Sequence, residues 1–519
     1  MGKYIGIDLG TTYSVAAYID NSGNSQIIPN REGSRTTPSA VLFEDGRTIV
    51  GDDAKRESIT NPEHYVAFAK RSMGNNTKKW LVDGDVYRPE TISAIVLKKI
   101  KEDCEIALDD EISGVVITVP AYFTDIQRTA TKDAAQLAGL EVLSIINEPT
   151  AAALAYGISK GDSEKKRVLV YDLGGGTFDV SIMEFDGNNI EILSSMGNPE
   201  LGGYDFDKEI VDWFIEEAYS QGIDVAADVD AMQSLWINAE DTKKALSNGK
   251  SRAKITIYAM GKKVSAELTK DYFENRIEPY ITETMASVDA ALEEAGLSYE
   301  EIDKILLIGG STRIPKVKET IEEWTGIMPS QDINPDEAVA IGAAYHVLEC
   351  ARIQVKNDEK GNNRNLNVSD LPEIEQKYNF IDRTSHGIGV EIINDVGEPE
   401  NSVILPKNTI VPAEASSEYY TISDYQTEIL LTVRQGESNN IKYTTKIGEA
   451  VLKLRPKPSG SPIKVLVSCD NDSIIHVHVI DMEDNINLGE MRIDRTSNMS
   501  KEEIETAQNK IGKLNIGGE

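Results

Sequence analysis

The chain has little cysteine, little histidine and few aromatic residues. Cys104, Cys350 and Cys469 are the three cysteines among 519 residues, and they lie far apart. That excludes a disulfide framework and a cysteine-ligated zinc site, and it points to a reducing, cytoplasmic setting. Histidine occurs five times. His476 and His478 share one face of a strand, but with no third partner they read as solvent-facing rather than as a metal site. Positive charge is short as well: 53 Lys and Arg stand against 86 Asp and Glu, a net charge of −33. Nucleic acid and anionic membranes repel such a chain. No apolar run approaches the length of a membrane span. The first residues enter a strand-like run directly, without the basic-then-apolar pattern of a signal peptide. No Walker phosphate loop, Rossmann fingerprint or zinc spacing stands out.

What is present is a phrase that occurs twice. Ile5-Gly6-Ile7-Asp8-Leu9-Gly10-Thr11-Thr12-Tyr13 opens the chain, and Val170-Tyr171-Asp172-Leu173-Gly174-Gly175-Gly176-Thr177-Phe178 follows far downstream. In each, an apolar run reaches an Asp, turns on glycine and threonine, and resumes as a β-type run. One glycine turn alone is also an ordinary hairpin. Two copies with matched aspartates suggest related halves facing one cleft. Backbone N–H groups of a glycine turn can converge on an anion, and Thr11, Thr12 and Thr177 add hydroxyls. An aspartate beside a phosphate makes sense if a divalent cation sits between them, and Mg²⁺ suits one or two carboxylates plus phosphate oxygens.

The length calls for two to four domains. Helical and strand patterns alternate to about residue 353. The stretch 114–119 reads as a buried strand ending at Pro120, 124–138 as a helix stopped by Gly139, 304–308 as a strand, and 336–351 as a helix opened by Asn334-Pro335-Asp336. Residues 354–382, polar and Asn-rich, read as a linker. Residues 383–498 show short strands separated by turns, an all-β module of sandwich type, and 499–519 begin a C-terminal helix.

Further groups could serve the same cleft. Ile308-Gly309-Gly310-Ser311-Thr312-Arg313 can lie against a nucleobase or ribose, with Arg313 stacking its guanidinium. Gly202 and Gly203 open a helix whose N-terminus favours phosphate. Lys70 could hold a γ-phosphate and an attacking water, although a solvated surface lysine is the plainer reading. Glu148, before Pro149, could orient that water, or serve only as a helix-start carboxylate.

These segments together resemble the seventy-kilodalton heat-shock chaperone family (DnaK-type). The matching stretches are 7–15, 116–128, 145–157, 171–182, 201–207, 307–315 and 334–344. The resemblance implies an α/β two-lobed actin-like ATPase domain with duplicated ribonuclease-H-like halves at 1–353, followed by an all-β sandwich that binds extended peptide. It implies ATP and ADP as nucleotides, Mg²⁺, and K⁺ as a further candidate ion. Lys70, Glu148, Asp172 and Thr177 match catalytic positions, and Asp8, Asp172 and Asp179 match acids at the ion site. Gly10, Thr11, Thr12, Tyr13, Gly174, Gly175, Gly176, Gly202 and Gly203 match phosphate contacts. Glu240, Lys243, Lys244, Gly309, Gly310, Ser311, Arg313 and Asp336 match the adenosine pocket, with Lys244 where the family often has Arg or an apolar residue. Pro120 and Arg128 match a relay from nucleotide to second domain. Implied partners are unfolded or extended polypeptide, a J-domain co-chaperone and a nucleotide exchange factor.

The sequence also departs from that pattern. The stretch between Lys70 and Glu148 is short, so a peripheral subdomain is trimmed. The linker lacks the family's aliphatic run, for which Leu371-Pro372-Glu373-Ile374 is a poor substitute, so coupling between domains is in question. In the sandwich, Ile429 falls near the pocket position and Asn401 where a large apolar arch residue is expected. The helical lid scarcely begins. The leading expectation is an ATP-dependent chaperone. Its alternative is a nucleotide-gated interaction module with one dedicated partner. A sugar or acetate kinase fits the hairpins but not the β module.

Overall fold

The computed structural model describes every residue except 1, 161–163, 331, 360–370, 374–377, 395, 471, 493–498, 500 and 517–519. The two aspartate-tipped strands head two sheets with the same local plan. In lobe I the strand order is Val142–Asn147, Ile112–Val119, Lys3–Asp8, Tyr13–Ile19 and Ser25–Ile28. In lobe II it begins Lys304–Ile308, Lys166–Leu173, Phe178–Asp186 and Asn189–Asn198. Each Asp strand pairs antiparallel with its own hairpin partner and parallel with a later strand. The duplication expected from the repeated phrase is therefore a repeated topology. The central strands are apolar almost throughout because helices cover both faces, as in parallel sheets generally.

Helix Asp125–Leu137 starts where the sequence signals it. The Thr124 hydroxyl accepts from the Gln127 N–H, and the Gln127 side chain answers at the Thr124 N–H. Such a reciprocal box satisfies two otherwise orphaned donors. Helices Glu148–Lys160 and Ala338–Glu359 cross between the lobes. Their crossing is so tight that a Cβ on Gly342 would lie 1.7 Å from the Ala151 carbonyl oxygen, so only glycine fits there. Around this crossing, Val15, Ala17 and Val116 of lobe I share one buried apolar cluster with Val168, Val170 and Leu306 of lobe II. The cluster fixes the floor of the cleft and leaves its mouth to polar contacts.

The second domain is a sandwich of two four-stranded antiparallel sheets. One runs Pro399–Leu405, Ile388–Ile393, Gln426–Gln435, Thr445–Lys457, and the other Ala413–Tyr420, Pro462–Cys469, Ile475–Asp481, Ile486–Arg492. Val390, Val433 and Ile447 from one sheet pack on Val465, Val467 and Val477 from the other. Strand Thr445–Lys457 was not legible in the sequence: four Lys or Arg among its thirteen residues hide the alternation.

The connection between the domains differs from expectation in one respect. Residues 379–382, read as linker, belong to a strand. Asn379–Arg383 joins lobe II parallel to Asn189–Asn198, with Ile190 opposite Phe380, and pairs on its other edge with Ile410–Val411 of the sandwich. The sheet of lobe II thus runs into the second domain. The Asn-rich run at 361–367 and Ile374 lie outside the described residues.

The sandwich also touches lobe I. Asp472 accepts from Lys132 at 2.7 Å and from the Ser144 hydroxyl at 2.7 Å, and the Ile475 N–H donates to Asp125 at 3.2 Å. Helix Lys501–Gly512 lies on lobe I, where Ile504, Ile511 and Ile516 join its core. The Lys98 ammonium donates to the carbonyls of Ile511 and Leu514 at 2.9 and 2.7 Å, capping the helix end. A cation suits that end of the helix dipole.

Candidate functional site

The two glycine-threonine turns face each other across the cleft and line a cavity of about 380 Å³. Of the residues singled out in the sequence, it is lined by Asp8, Gly10, Thr11, Thr12, Tyr13, Lys70, Glu148, Asp172, Gly174, Gly175, Thr177, Glu240, Lys243, Lys244, Gly309, Gly310, Ser311, Arg313 and Asp336. Segments spread over three hundred residues of sequence therefore meet at one place.

At its floor the charges do not balance. Lys70 is buried, and its ammonium donates to Glu148 at 2.6 Å. Asp172 and Asp179 lie beside them, also buried, and Asp8 accepts from the Thr118 hydroxyl at 3.1 Å. Four carboxylates thus share one ammonium. Burial, then the Glu148 charge, pushes Asp8 up to about 7, against the pull of Lys70. Burial and then Glu148 likewise push Asp179 up to about 7. Asp172 is driven well above the usual carboxylate range by burial and then by Glu148, Asp179 and Asp8. Such a cluster is short of positive charge, and a divalent cation is the natural complement. Among the described residues no three acidic, His or Cys side chains could hold an ion on their own. The donor set therefore fits an ion that takes its remaining ligands from phosphate and water, as Mg²⁺ does.

Asp179 stands one layer behind. It does not line the cavity, and its carboxylate accepts from the Tyr122 N–H at 3.1 Å. Gly176, Gly202 and Gly203 do not line it either. Gly202 backs the second turn so closely that a Cβ there would lie 2.5 Å from the Gly176 nitrogen. The Gly203 and Tyr204 N–H groups donate to the carbonyls of Gly174 and Gly175 at 3.0 and 2.7 Å. These glycines brace the Gly174–Thr177 turn from behind.

The other end of the cavity is a cross-lobe clamp. Tyr13 donates to Glu240 at 2.8 Å, and Lys244 meets both the Tyr13 hydroxyl and Glu240, at 2.7 and 2.6 Å. Lys55 of lobe I pairs with Glu240 as well. Burial would raise Glu240, but Lys55 and Lys244 overcome it and hold the carboxyl at about 2. Lys243 is turned away to Asp207 and the Gly203 carbonyl, at 2.7 and 2.9 Å. Arg313 is held flat by Asp336 at 2.5 Å and Asn334 at 3.1 Å. Sequence reasoning missed Thr36, Ser247, Asn248, Ile314 and Val339, which also line the cavity. Ser247 had a readable signal, since it follows Glu240, Lys243 and Lys244 on one helix face at spacings of three, four and seven.

The relay pair leads outward. Arg128 donates to the Ala121 carbonyl at 3.2 Å, just past Pro120, and to Asn147 at 2.6 Å. Asn147 in turn donates to Asp382 on the connecting strand at 3.0 Å. Asn147 directly precedes Glu148, so the floor of the cleft touches the strand that enters the sandwich. In the sandwich, Asn401 is buried and donates to the carbonyls of Gly436 and Ser438 at 3.2 and 3.1 Å. At the position where a large apolar arch residue is expected, the chain thus carries a buried amide tied to the Gly436–Ser438 backbone. Ile393, Ile422, Tyr425 and Leu430 are among the exposed apolar side chains of that domain.

A model of the Hsp70 protein family matches residues 4–86 and 75–515. The chaperone protein DnaK of Thermotoga neapolitana is 43% identical over 488 residues, which covers 92% of this chain and 78% of the relative. The DnaK proteins of Thermotoga petrophila and Thermotoga maritima match to the same extent. With that family match over almost the whole chain, and the two-lobed cleft joined to a β-sandwich, the chain belongs to the Hsp70 family of ATP-hydrolysing chaperones.

Proposed function

We propose that the cleft holds Mg²⁺-ATP between the turns Gly10–Tyr13 and Gly174–Thr177, and that Lys70 and Glu148 act on the water that attacks the γ-phosphate. The observation that carries this reading is the set of four carboxylates, Glu148, Asp172 and Asp179 buried and Asp8 half-buried, around one ammonium. Asp8 and Asp172, with Asp179 behind them, would hold the ion through phosphate oxygens and waters. When bound, Mg²⁺ neutralises charge on the phosphates and on the developing transition state.

The protein's own groups do the positioning. Glu148 is placed to accept a hydrogen bond from water and to orient its lone pair. The Lys70 ammonium offers its remaining protons to that water or to the γ-phosphate. Thr11, Thr12 and Thr177 supply hydroxyl donors. The work is orientation and charge stabilisation rather than covalent chemistry. At the other end, Glu240, Lys244, Ser311, Arg313 and Asp336 would take the adenosine.

The β-sandwich is the proposed site for extended, unfolded polypeptide, bound by backbone hydrogen bonds and apolar pockets. The connecting strand Asn379–Arg383 supports coupling between the two sites, because it touches Asn147 on one side and the sandwich on the other. A J-domain protein and a nucleotide exchange factor are the proposed partners, K⁺ a second ion, and the cytoplasm the proposed compartment. No described helix is long and apolar enough to cross a membrane.

Lys70→Ala tests the catalytic reading. Hydrolysis is expected to vanish while ATP affinity stays within about tenfold. Undiminished turnover would overturn it.

A further inference from the structure

Catalytic Lys70 sits on a four-residue turn, Ala69–Ser72, which by itself gives a long side chain poor definition. One aromatic ring from the opposite lobe grips that turn on both sides of the lysine. Tyr204, in the first turn of helix Gly203–Ser220, meets Phe68 edge-on, with ring centroids 4.7 Å apart at 64°. The Arg71 guanidinium lies 4.8 Å from the centroid of the same ring. Trp236 stacks behind it at 5.0 Å and 10°. Phe68 and Arg71 therefore bracket Lys70, and both are held by Tyr204.

Two further observations tie this clasp to the chemistry. Phe68 has φ +58°, a left-handed conformation that a bulky side chain adopts only where its surroundings impose it. The Tyr204 N–H donates to Gly175 at 2.7 Å, so the ring is anchored to the second phosphate turn. Arg71 adds contacts to lobe II, donating to the Glu200 carbonyl at 2.5 Å and reaching Asp205 at 3.3 Å. Trp236 stands on the helix that carries Glu240 and Lys244. A single residue thus links the lysine turn and the clamp helix through its ring and the Gly174–Thr177 turn through its backbone.

We propose that Tyr204 is a positioning residue for ATP hydrolysis: its ring sets the Lys70 turn against the Gly174–Thr177 phosphate turn. This rests on the reading of Lys70 as the catalytic ammonium. The ring, rather than its hydroxyl, makes the contacts with Phe68, Arg71 and Trp236. Misplacement of a catalytic group by an ångström is costly for rate but not for binding contacts made elsewhere.

The test compares Tyr204→Ala and Tyr204→Phe in the full chain, by single-turnover hydrolysis and by calorimetry with Mg²⁺-ATP. Tyr204→Ala is expected to lower the hydrolysis rate between about tenfold and about a hundredfold, with ATP affinity kept within about threefold. Tyr204→Phe is expected to restore the rate to within about twofold of the parent. An unchanged rate in Tyr204→Ala, or a loss confined to affinity, would overturn the proposal. Should Tyr204→Ala fail to fold, Arg71→Met removes the other half of the clasp and is expected to slow hydrolysis without weakening ATP binding; an unchanged rate there would equally overturn it. Full turnover in Lys70→Ala would instead remove the reading on which the proposal rests. An inactive Lys70→Ala beside an unimpaired Tyr204→Ala would remove only the positioning role.

Discussion

The Lys70 ammonium and the Glu148 carboxylate stand 2.6 Å apart, both buried, although 78 residues separate them in the chain. Glu148 opens a helix, Lys70 sits on a short turn, and the Lys70 charge acts on all three aspartates around them. Glu148→Gln keeps the shape and removes the acceptor charge. Hydrolysis is expected to fall by at least about a hundredfold, the usual scale for a lost general base, with ATP still bound. Single-turnover hydrolysis and calorimetry together check this.

The cross-cleft clamp is expected to act on release rather than on chemistry. Glu240 is held by Tyr13, Lys55 and Lys244 from both lobes. Lys55→Ala is expected to speed ADP release at least about fivefold, because truncating one partner of a desolvated charge pair acts mainly on the off-rate. Since the Glu240 carboxyl is held at about 2, the clamp should not respond to pH between about 5 and about 9. Stopped-flow displacement of a fluorescent ADP at several pH values measures both.

Among the contacts that dock the sandwich on lobe I is Asp472, which accepts from Lys132 and Ser144. Asp472→Asn should weaken docking by about 1–2 kcal/mol, the scale of a charge-assisted bond. Small-angle scattering with ATP present is expected to show a larger radius of gyration in the variant than in the parent.

Docking should also depend on pH through His386. Its ring packs on Tyr122 with centroids 4.2 Å apart, and its Nε2 lies 3.3 Å from the Tyr122 carbonyl. Burial pushes its pKa down, while the hydrogen bond to the Tyr122 carbonyl and then the Glu437 charge pull upward and Lys407 and Arg128 push down further. The docked state therefore favours the neutral ring. Docking has its full strength above the free value of about 6.5 and weakens as pH falls below it. Burial raises Asp382, which works in the opposite sense. Spin labels on sandwich and lobe I should report more undocked chain at about pH 5.5 than at about pH 7.5, and His386→Phe should remove that difference.

Much of the site was legible because its parts are local phrases. A glycine turn with an aspartate before it can be read one segment at a time, whereas Glu240, Lys243 and Lys244 were reached only through the family resemblance. The duplicated lobes followed from the repeat. What could not be read is what depends on long-range approach. Asn401 looks like any polar residue in an edge strand, and only the pairing of its amide with Gly436 and Ser438 explains its burial. Tyr204 and Trp236 look like routine helix aromatics until the lobes close on Phe68. The connecting strand was missed for a related reason. Phe380 and Ile381 are too few to give a strand pattern, and they become one only beside Ile190 and Glu191.

Calorimetric titration of the full chain with ATP, with and without Mg²⁺, tests most directly whether the paired turns grip a metal-chelated triphosphate. Tight one-to-one binding with Mg²⁺ is expected, weakened at least about tenfold by chelator and again when Asp8 and Asp172 are both replaced by Ala. No heat of binding, or an affinity indifferent to both the ion and the two aspartates, would contradict it.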